Sequence, residues 1–211
     1  MHLYFAPMAC SLATRIALYE AKADAQFVRV NLKSKSLADG SSYLDIAPLG
    51  QVPMIRTTDG TFITENSAVL QYVADAYPEA RIAPRTASER ARLQQWLGFI
   101  GTELHKIILQ PLLDAHASAD VKAYARTKIP LRFGHLQSHL EKQDYLLNEF
   151  SVADAYLLVV LNWTTVTDID LKQWPAVAAY RERLLARPSV AKAVGEEWAL
   201  FRDEQSKATA Q

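Results

Sequence analysis

Cys10 is the residue best suited to chemistry in this sequence. It follows a short apolar run, residues 2–5, which predicts a strand. It precedes apolar residues at 12, 16 and 19, whose spacing predicts a helix. Backbone N–H groups at a helix start favour a thiolate. Cys10 is therefore either a reactive thiol or a small buried side chain, since free cysteines are among the most buried residues.

Two other stretches of the first eighty residues predict local structure that can present backbone groups to a ligand. Residues 47–53 contain two prolines and a glycine, which predicts an irregular loop. A helix is predicted from about Glu65, and the unpaired N–H groups of a helix start attract a carboxylate. Taken alone, residues 47–53 could be an ordinary loop, and Glu65 could be an ordinary acidic residue at a helix start.

Composition restricts the class of protein. The chain has 211 residues, of which 50% are hydrophobic, and its formal net charge is zero. Its length allows one large or two small domains. The neutral charge argues against a nucleic-acid partner or an anionic membrane surface. The single cysteine fits a reducing compartment, and we expect a cytoplasmic protein without a signal peptide or membrane span.

The predicted elements divide the chain into a mixed part and a helical part. Residues 1–78 predict the order strand, helix, strand, irregular crossing, hairpin, helix. Residues 79–85 predict a linker, and the rest predicts helices only. We expect Pro130 to kink or interrupt the helix predicted over about 120–142.

Together these motifs resemble a known family. Cys10 after the first strand, Pro-x-Gly-x-Val-Pro at 48–53 and Thr-Glu-Asn-Ser at 64–67 resemble the thioredoxin-like domain of glutathione transferases. Residues 7–12 and 32–35 are similar to those of the bacterial beta class, which carries a cysteine at the position of Cys10. The resemblance covers essentially the whole chain. It implies an α/β plus all-α fold, with an N-terminal thioredoxin-like domain (1–78), a linker (79–85) and an all-helical C-terminal domain (86–211).

The resemblance also implies a binding site for glutathione as co-substrate, with no metal. It implies a cis peptide bond before Pro53 and pairing of the Val52 backbone with the cysteinyl part of glutathione. The acidic Glu65 would meet the α-amino group of the tripeptide. The full set of glutathione-binding residues implied is Lys35, Gln51, Val52, Pro53, Glu65 and Asn66.

A second group of implied site residues concerns the reacting sulfur and its substrate. His105 would reach the sulfur of bound glutathione as a hydrogen-bond donor or as a cation. A lone helical histidine is otherwise more often structural. The residues assigned to the pocket for the electrophile are Phe5, Met8 and Trp163, although the spacing of Trp163 equally fits a core position.

Ser151 and Asp154 have the spacing of a capping box, with serine at the N-cap and an acid three residues later. In the family this box is a folding element, so we expect these two residues to be structural. Three positions, Met8, Asn66 and Gly98, differ from the residues common in the beta class or the wider family.

The predicted function is that of a glutathione transferase, catalysing cysteine-dependent thiol–disulfide exchange, conjugation of glutathione to a small hydrophobic electrophile, or both. Position 13 is alanine, so resolution of a mixed disulfide needs a second glutathione. A homodimer is expected from the resemblance. The alternatives are a non-catalytic interaction protein with weak or no glutathione binding, and a glutathione-dependent dehalogenase or isomerase.

Overall fold

The structure is a computed structural model that describes residues 1–209 as two compact units. The first unit contains Met1–Ile82 together with the last helix, and the second contains Ala83–Arg187. The final two residues of the predicted second domain, 210 and 211, lie outside the described residues. No helix in the described part of the chain is both long enough and apolar enough to span a membrane.

A five-stranded mixed sheet forms the centre of the first unit. Its strands are β1 (His2–Phe5), β2 (Gln26–Asn31), β3 (Ser36–Leu37), β4 (Met54–Arg56) and β5 (Phe62–Ile63). Their spatial order is β3-β2-β1-β4-β5. Strand β1 runs parallel to β2, and the other neighbouring pairs are antiparallel. The predicted strands and the hairpin turn before β5 are therefore present.

This topology brings the candidate residues of the first unit to one end of the sheet. Cys10 follows β1, and Pro53 directly precedes β4, which is antiparallel to β1. Strand β5 is antiparallel to β4, so the helix that begins after β5 starts at this same end. The carboxyl ends of β1 and β5 thus meet the amino end of β4.

Three helices complete the first unit: α1 (Leu12–Glu20), α2 (Asn66–Ala76) and α8 (Pro188–Thr209). Helix α1 packs against both α2 and α8. The placement of α8 differs from the predicted division, which assigned it to the second domain. The physical reason is that the inner face of α8 carries carboxylates that pair with a buried arginine of α1, Arg15.

The second unit is helical, as predicted. Its helices are α3 (Ala87–Phe99), α4 (Gln110–Leu113), α5 (Ala119–Leu140), α6 (Val152–Asn162) and α7 (Pro175–Leu185). Helices α3 and α4 are joined by a π-helical segment, Ile100–Leu109, which the apolar periodicity did not predict. Helix α5 continues through Pro130, so the helix is not interrupted there, and the other expected outcome, a kink, stays a prediction. Pro130 is exposed, where water can satisfy the carbonyl that its missing N–H leaves unpaired.

Candidate active site

Cys10 lies in the turn between β1 and α1. It is partly exposed, and its Sγ donates a hydrogen bond to the Val52 carbonyl oxygen at 3.2 Å. The Val52–Pro53 peptide bond is cis, as expected. Residues 10 and 52 are thus brought together, with the thiol against the backbone of the proline loop.

The proline loop is held in place by the side chain of Lys35. Its Nζ donates to the Gly50 carbonyl oxygen at 2.8 Å. Gly50 has φ of +58°, and a Cβ there would lie 2.8 Å from Lys35 Cδ, so only glycine fits under the lysine stem. The backbone carbonyl of Gln51 accepts a hydrogen bond from the Tyr43 hydroxyl at 2.9 Å. Lys35 therefore shapes the loop as well as lying beside it.

The start of α2 has an unsatisfied polar side chain. Glu65 is exposed and occupies the N-cap with φ of +65°. Asn66 is 8% exposed, and both polar atoms of its amide are buried without a hydrogen-bond partner among the described residues. Buried polar groups are ordinarily satisfied. An unpaired amide at a helix N-terminus is a suitable place for a ligand with a carboxylate.

The turn before Cys10 is fixed by a carboxylate from α8. Glu197 is fully buried, and its Oε2 accepts the Met8 backbone N–H at 2.8 Å. Its Oε1 lies 3.2 Å from Arg15 Nε. Burial raises the pKa of Glu197, while Arg15 and the Met8 N–H oppose that rise. Met8 has φ of +61°, a left-handed conformation that glycine adopts without strain. This explains why glycine is common at this position in the beta class.

Phe5, which was assigned to an electrophile pocket, lies in the packed interior of the first unit, and its role at such a pocket stays a prediction. Phe5 is 2% exposed, and the Arg15 guanidinium lies 4.4 Å from the centroid of its ring. The same guanidinium lies 4.1 Å from the ring of Phe27. The Phe5 ring is therefore part of the packing around a buried arginine. The role of Met8 at such a pocket stays a prediction.

In the second unit, the π-helical segment presents His105 to two aromatic residues. The His105 Nδ1 lies 2.7 Å from the Tyr156 hydroxyl oxygen. The rings of His105 and Trp163 meet edge to face, with centroids 4.8 Å apart. Trp163 begins a short 3₁₀ helix after α6 and is partly exposed. The structure thus brings two predicted site residues, His105 and Trp163, into contact.

Of the two roles expected for His105, hydrogen-bond donor or cation, its surroundings favour the donor. Burial, together with the smaller effect of the nearby charge of Lys106, lowers the pKa of His105 to about 4. The ring is therefore neutral at pH 7 and keeps one N–H donor and one acceptor nitrogen. The hydrogen-bond donor role remains open to it. Cys10 belongs to the first unit and His105 to the second, and their joint action stays a prediction.

Ser151 and Asp154 form the expected capping box at the start of α6. The Asp154 carboxylate is fully buried and accepts four hydrogen bonds. Their donors are the Ser151 N–H, the Ser151 hydroxyl, the Leu146 N–H and the Tyr180 hydroxyl, at 2.7–2.9 Å. This carboxylate is saturated by protein donors, which is the pattern of a structural residue.

Two residues at these sites were not found by sequence reasoning. Tyr156 lies in the uniformly apolar run of α6, where nothing distinguishes it from a core residue. Glu197 lies in a charged helix 187 positions after Cys10, and sequence patterns do not report such distant pairing. Among the residues described, no cluster of three or more His, Cys, Asp or Glu side chains could hold a metal ion.

Comparison with known protein families gives two matches. The model of the glutathione S-transferase N-terminal domain matches residues 1–75, and that of the C-terminal domain matches residues 100–188. The glutathione S-transferase GstA of Escherichia coli O157:H7 is 35% identical over 93% of this chain and 98% of its own length. The disulfide-bond oxidoreductase YfcG of Escherichia coli K12 is 29% identical over 91% of this chain and 93% of its own.

Solved structures give a consistent result. The bacterial glutathione transferase BphK, solved as a ternary complex, has a TM-score of 0.90 and 43% identity over 93% of this chain and 99% of its own. A sphingomonad enzyme complexed with glutathione and the beta-class enzyme of Sphingomonas chungbukensis both have TM-scores of 0.89. Each is 39% identical over 93% of this chain and 98% of its own. The predicted fold class is confirmed.

Proposed function

The chain belongs to the glutathione S-transferase family, and we propose that it is a cysteine-type member whose main reaction is exchange between glutathione and a mixed disulfide. That it is an enzyme rather than a non-catalytic interaction protein follows from the relatives, which are glutathione transferases along nearly their whole length. The beta class, glutathione as the bound tripeptide and a detoxification role are parts of this proposal. A cytoplasmic location is proposed from the single cysteine.

The observation that carries the proposal is the position of the Cys10 thiol. Its Sγ contacts the Val52 carbonyl, the group implied to pair with the cysteinyl part of glutathione. A disulfide whose glutathionyl half paired with Val52 would place its sulfur near that of Cys10. Fixing the two sulfurs in this way would supply much of the rate, because it makes the exchange effectively intramolecular.

The proposed reaction has two steps. The Cys10 thiolate attacks the glutathionyl sulfur of the mixed disulfide, the old S–S bond breaks, and the other thiol leaves and takes up a proton. The thiolate of a second glutathione then attacks the Cys10–glutathione disulfide, which releases oxidised glutathione and restores the Cys10 thiolate. The chain has no second cysteine, so the second glutathione is required.

Three further groups are proposed to hold glutathione. The buried Asn66 amide and the N–H groups at the start of α2 would receive the γ-glutamyl carboxylate, because they are unpaired donors at the positive end of a helix. Glu65 is exposed beside them and would meet the α-amino group. Lys35 and Gln51 are proposed for the other polar end of the peptide, with the Lys35 ammonium already held near the loop by Gly50.

Conjugation to a small hydrophobic electrophile is the second candidate reaction, and Trp163 supports it as an accessible aromatic surface beside His105. The two reactions make different demands on Cys10. Exchange needs a sulfur that forms a covalent bond, whereas conjugation needs only a donor to the glutathione thiolate, and a hydroxyl is the stronger donor.

The substitution Cys10→Ser separates these reactions. We expect it to abolish reduction of a glutathione mixed disulfide, because a hydroxyl cannot form the intermediate, and to leave conjugation of a model electrophile equal or faster. Mass spectrometry of the unmodified protein, trapped during turnover, should show one glutathionyl group on Cys10. Retention of full exchange activity in Cys10→Ser, or absence of the adduct, would contradict the proposed reaction.

A further inference from the structure

The His105 ring is held at two of its edges within the second unit. Its Nδ1 lies 2.7 Å from the Tyr156 hydroxyl oxygen, and Trp163 packs edge to face against it. Tyr156 is 3% exposed and belongs to the first half of α6, close to the saturated capping box. Its hydroxyl is therefore held by a buried side chain next to that hydrogen-bonded helix start.

The length of this hydrogen bond is nearer to that of a hydroxyl donor than to that of an N–H donor. Hydroxyl donors most often give separations of about 2.7–2.8 Å, whereas N–H donors range over about 2.7–3.2 Å and most often give about 2.9–3.0 Å. The observed 2.7 Å fits a phenolic O–H donating to Nδ1. A neutral imidazole that accepts at Nδ1 must carry its proton on Nε2.

We infer that Tyr156 is a positioning residue for His105, whose hydroxyl donates to Nδ1 and so keeps the ring proton on Nε2. The inference rests on the proposed function for its consequence. A ring with Nε2–H can donate a hydrogen bond to a sulfur anion at its outer edge. The opposite tautomer would present a lone pair there, which repels a thiolate. Tyr156 thus selects the useful one of two neutral forms.

The first test reads the tautomer directly. In ¹⁵N-labelled protein, the two ring nitrogens of His105 are identified by comparison with His105→Gln, since the chain has five histidines. We expect the unmodified protein to show a proton on Nε2 only. In Tyr156→Phe, which keeps the ring and removes the hydroxyl, we expect the two nitrogen resonances to move towards each other as the tautomers mix.

Tyr180→Phe is the matched control. It also removes one buried tyrosine hydroxyl, but that hydroxyl donates to Asp154. We expect it to lower stability and to leave the His105 nitrogen resonances unchanged. A proton on Nδ1 in the unmodified protein, or unchanged resonances in Tyr156→Phe, would overturn the inference.

The second test measures exchange rates in a double-mutant cycle. We expect Tyr156→Phe to lower kcat about two- to tenfold, the range that loss of one neutral hydrogen bond gives, with a smaller change in KM for glutathione. In the His105→Gln background, Tyr156→Phe should have no further effect, because Tyr156 acts through His105. An equal loss in both backgrounds would show a purely structural role and overturn the inference. A normal rate in His105→Gln would contradict the role at the sulfur that the resemblance implies for His105, and the resonances would still decide the inference.

Discussion

The charge of the His105 ring is set by its surroundings and not by its residue type. Burial lowers its pKa from 6.5 to about 4. In the unfolded chain the ring takes up a proton as the pH falls through about 6.5. Between these two values the unfolded state binds more protons than the native state, so the stability of the native state must fall as the pH falls.

This gives a prediction for stability at mildly acidic pH. Between pH 7 and pH 5, the unmodified protein should lose about 1–2 kcal/mol more unfolding free energy than His105→Gln, which lacks the titrating ring. Denaturant unfolding of both proteins at the two pH values measures the difference. The same pH dependence in both proteins would show that the His105 pKa is not lowered in the native state.

At the scale of elements, the start of α6 determines where Tyr156 lies. The Asp154 carboxylate accepts the N–H groups of Ser151 and Leu146 and two side-chain hydroxyls, all of them buried. It therefore joins the helix start to the preceding segment and to α7, from which Tyr180 reaches it. Removing the carboxylate would leave several buried donors without an acceptor, which costs more than the loss of a surface cap.

Asp154→Ala is therefore expected to lower the free energy of unfolding by about 2–4 kcal/mol. Thr86→Ala is the matched control, because Thr86 caps α3 with an exposed hydroxyl that accepts the Glu89 N–H. That substitution should cost only about 0.5–1 kcal/mol. Equal shifts in the urea midpoint of the two variants would contradict the buried network at Asp154.

Which features could be predicted from sequence depends on how local their causes are. The strands and the Ser151 box depend on residues a few positions apart, and the sequence patterns predicted them. The burial of Phe5 depends on Arg15 and on carboxylates in α8, about 180 positions away. The lowered His105 pKa depends in the same way on packing that no local pattern reports. The local pattern and the family resemblance both singled out Cys10, but neither could show which atoms hold its turn.

At the scale of the whole molecule, a homodimer is proposed from the resemblance. Apolar side chains that are exposed in the single chain are candidates for the interface, since association would remove them from water. Leu49 is 77% exposed and Phe62 is 42% exposed in the first unit, and Leu131 is 73% exposed in the second.

Light scattering at micromolar concentration should therefore give twice the chain mass of 23.6 kDa. The mass should fall on dilution only below the dissociation constant of the dimer, and a dilution series measures that constant. A mass of one chain across the whole series would contradict the proposal. Unfolding gives a second measurement, because the unfolding midpoint of a monomeric chain should not depend on protein concentration.

The Glu197 contact has a consequence for biosynthesis. A ribosome makes residues 1–82 first, yet the carboxylate that holds the Met8 backbone and faces Arg15 is added more than a hundred residues later. The segment 83–187 is continuous and can fold while it emerges. The nascent first unit, in contrast, lacks the α8 carboxylates that contact Arg15 and the Met8 N–H until α8 leaves the exit tunnel. The cysteine turn is therefore synthesised well before α8 and completed only once α8 is present.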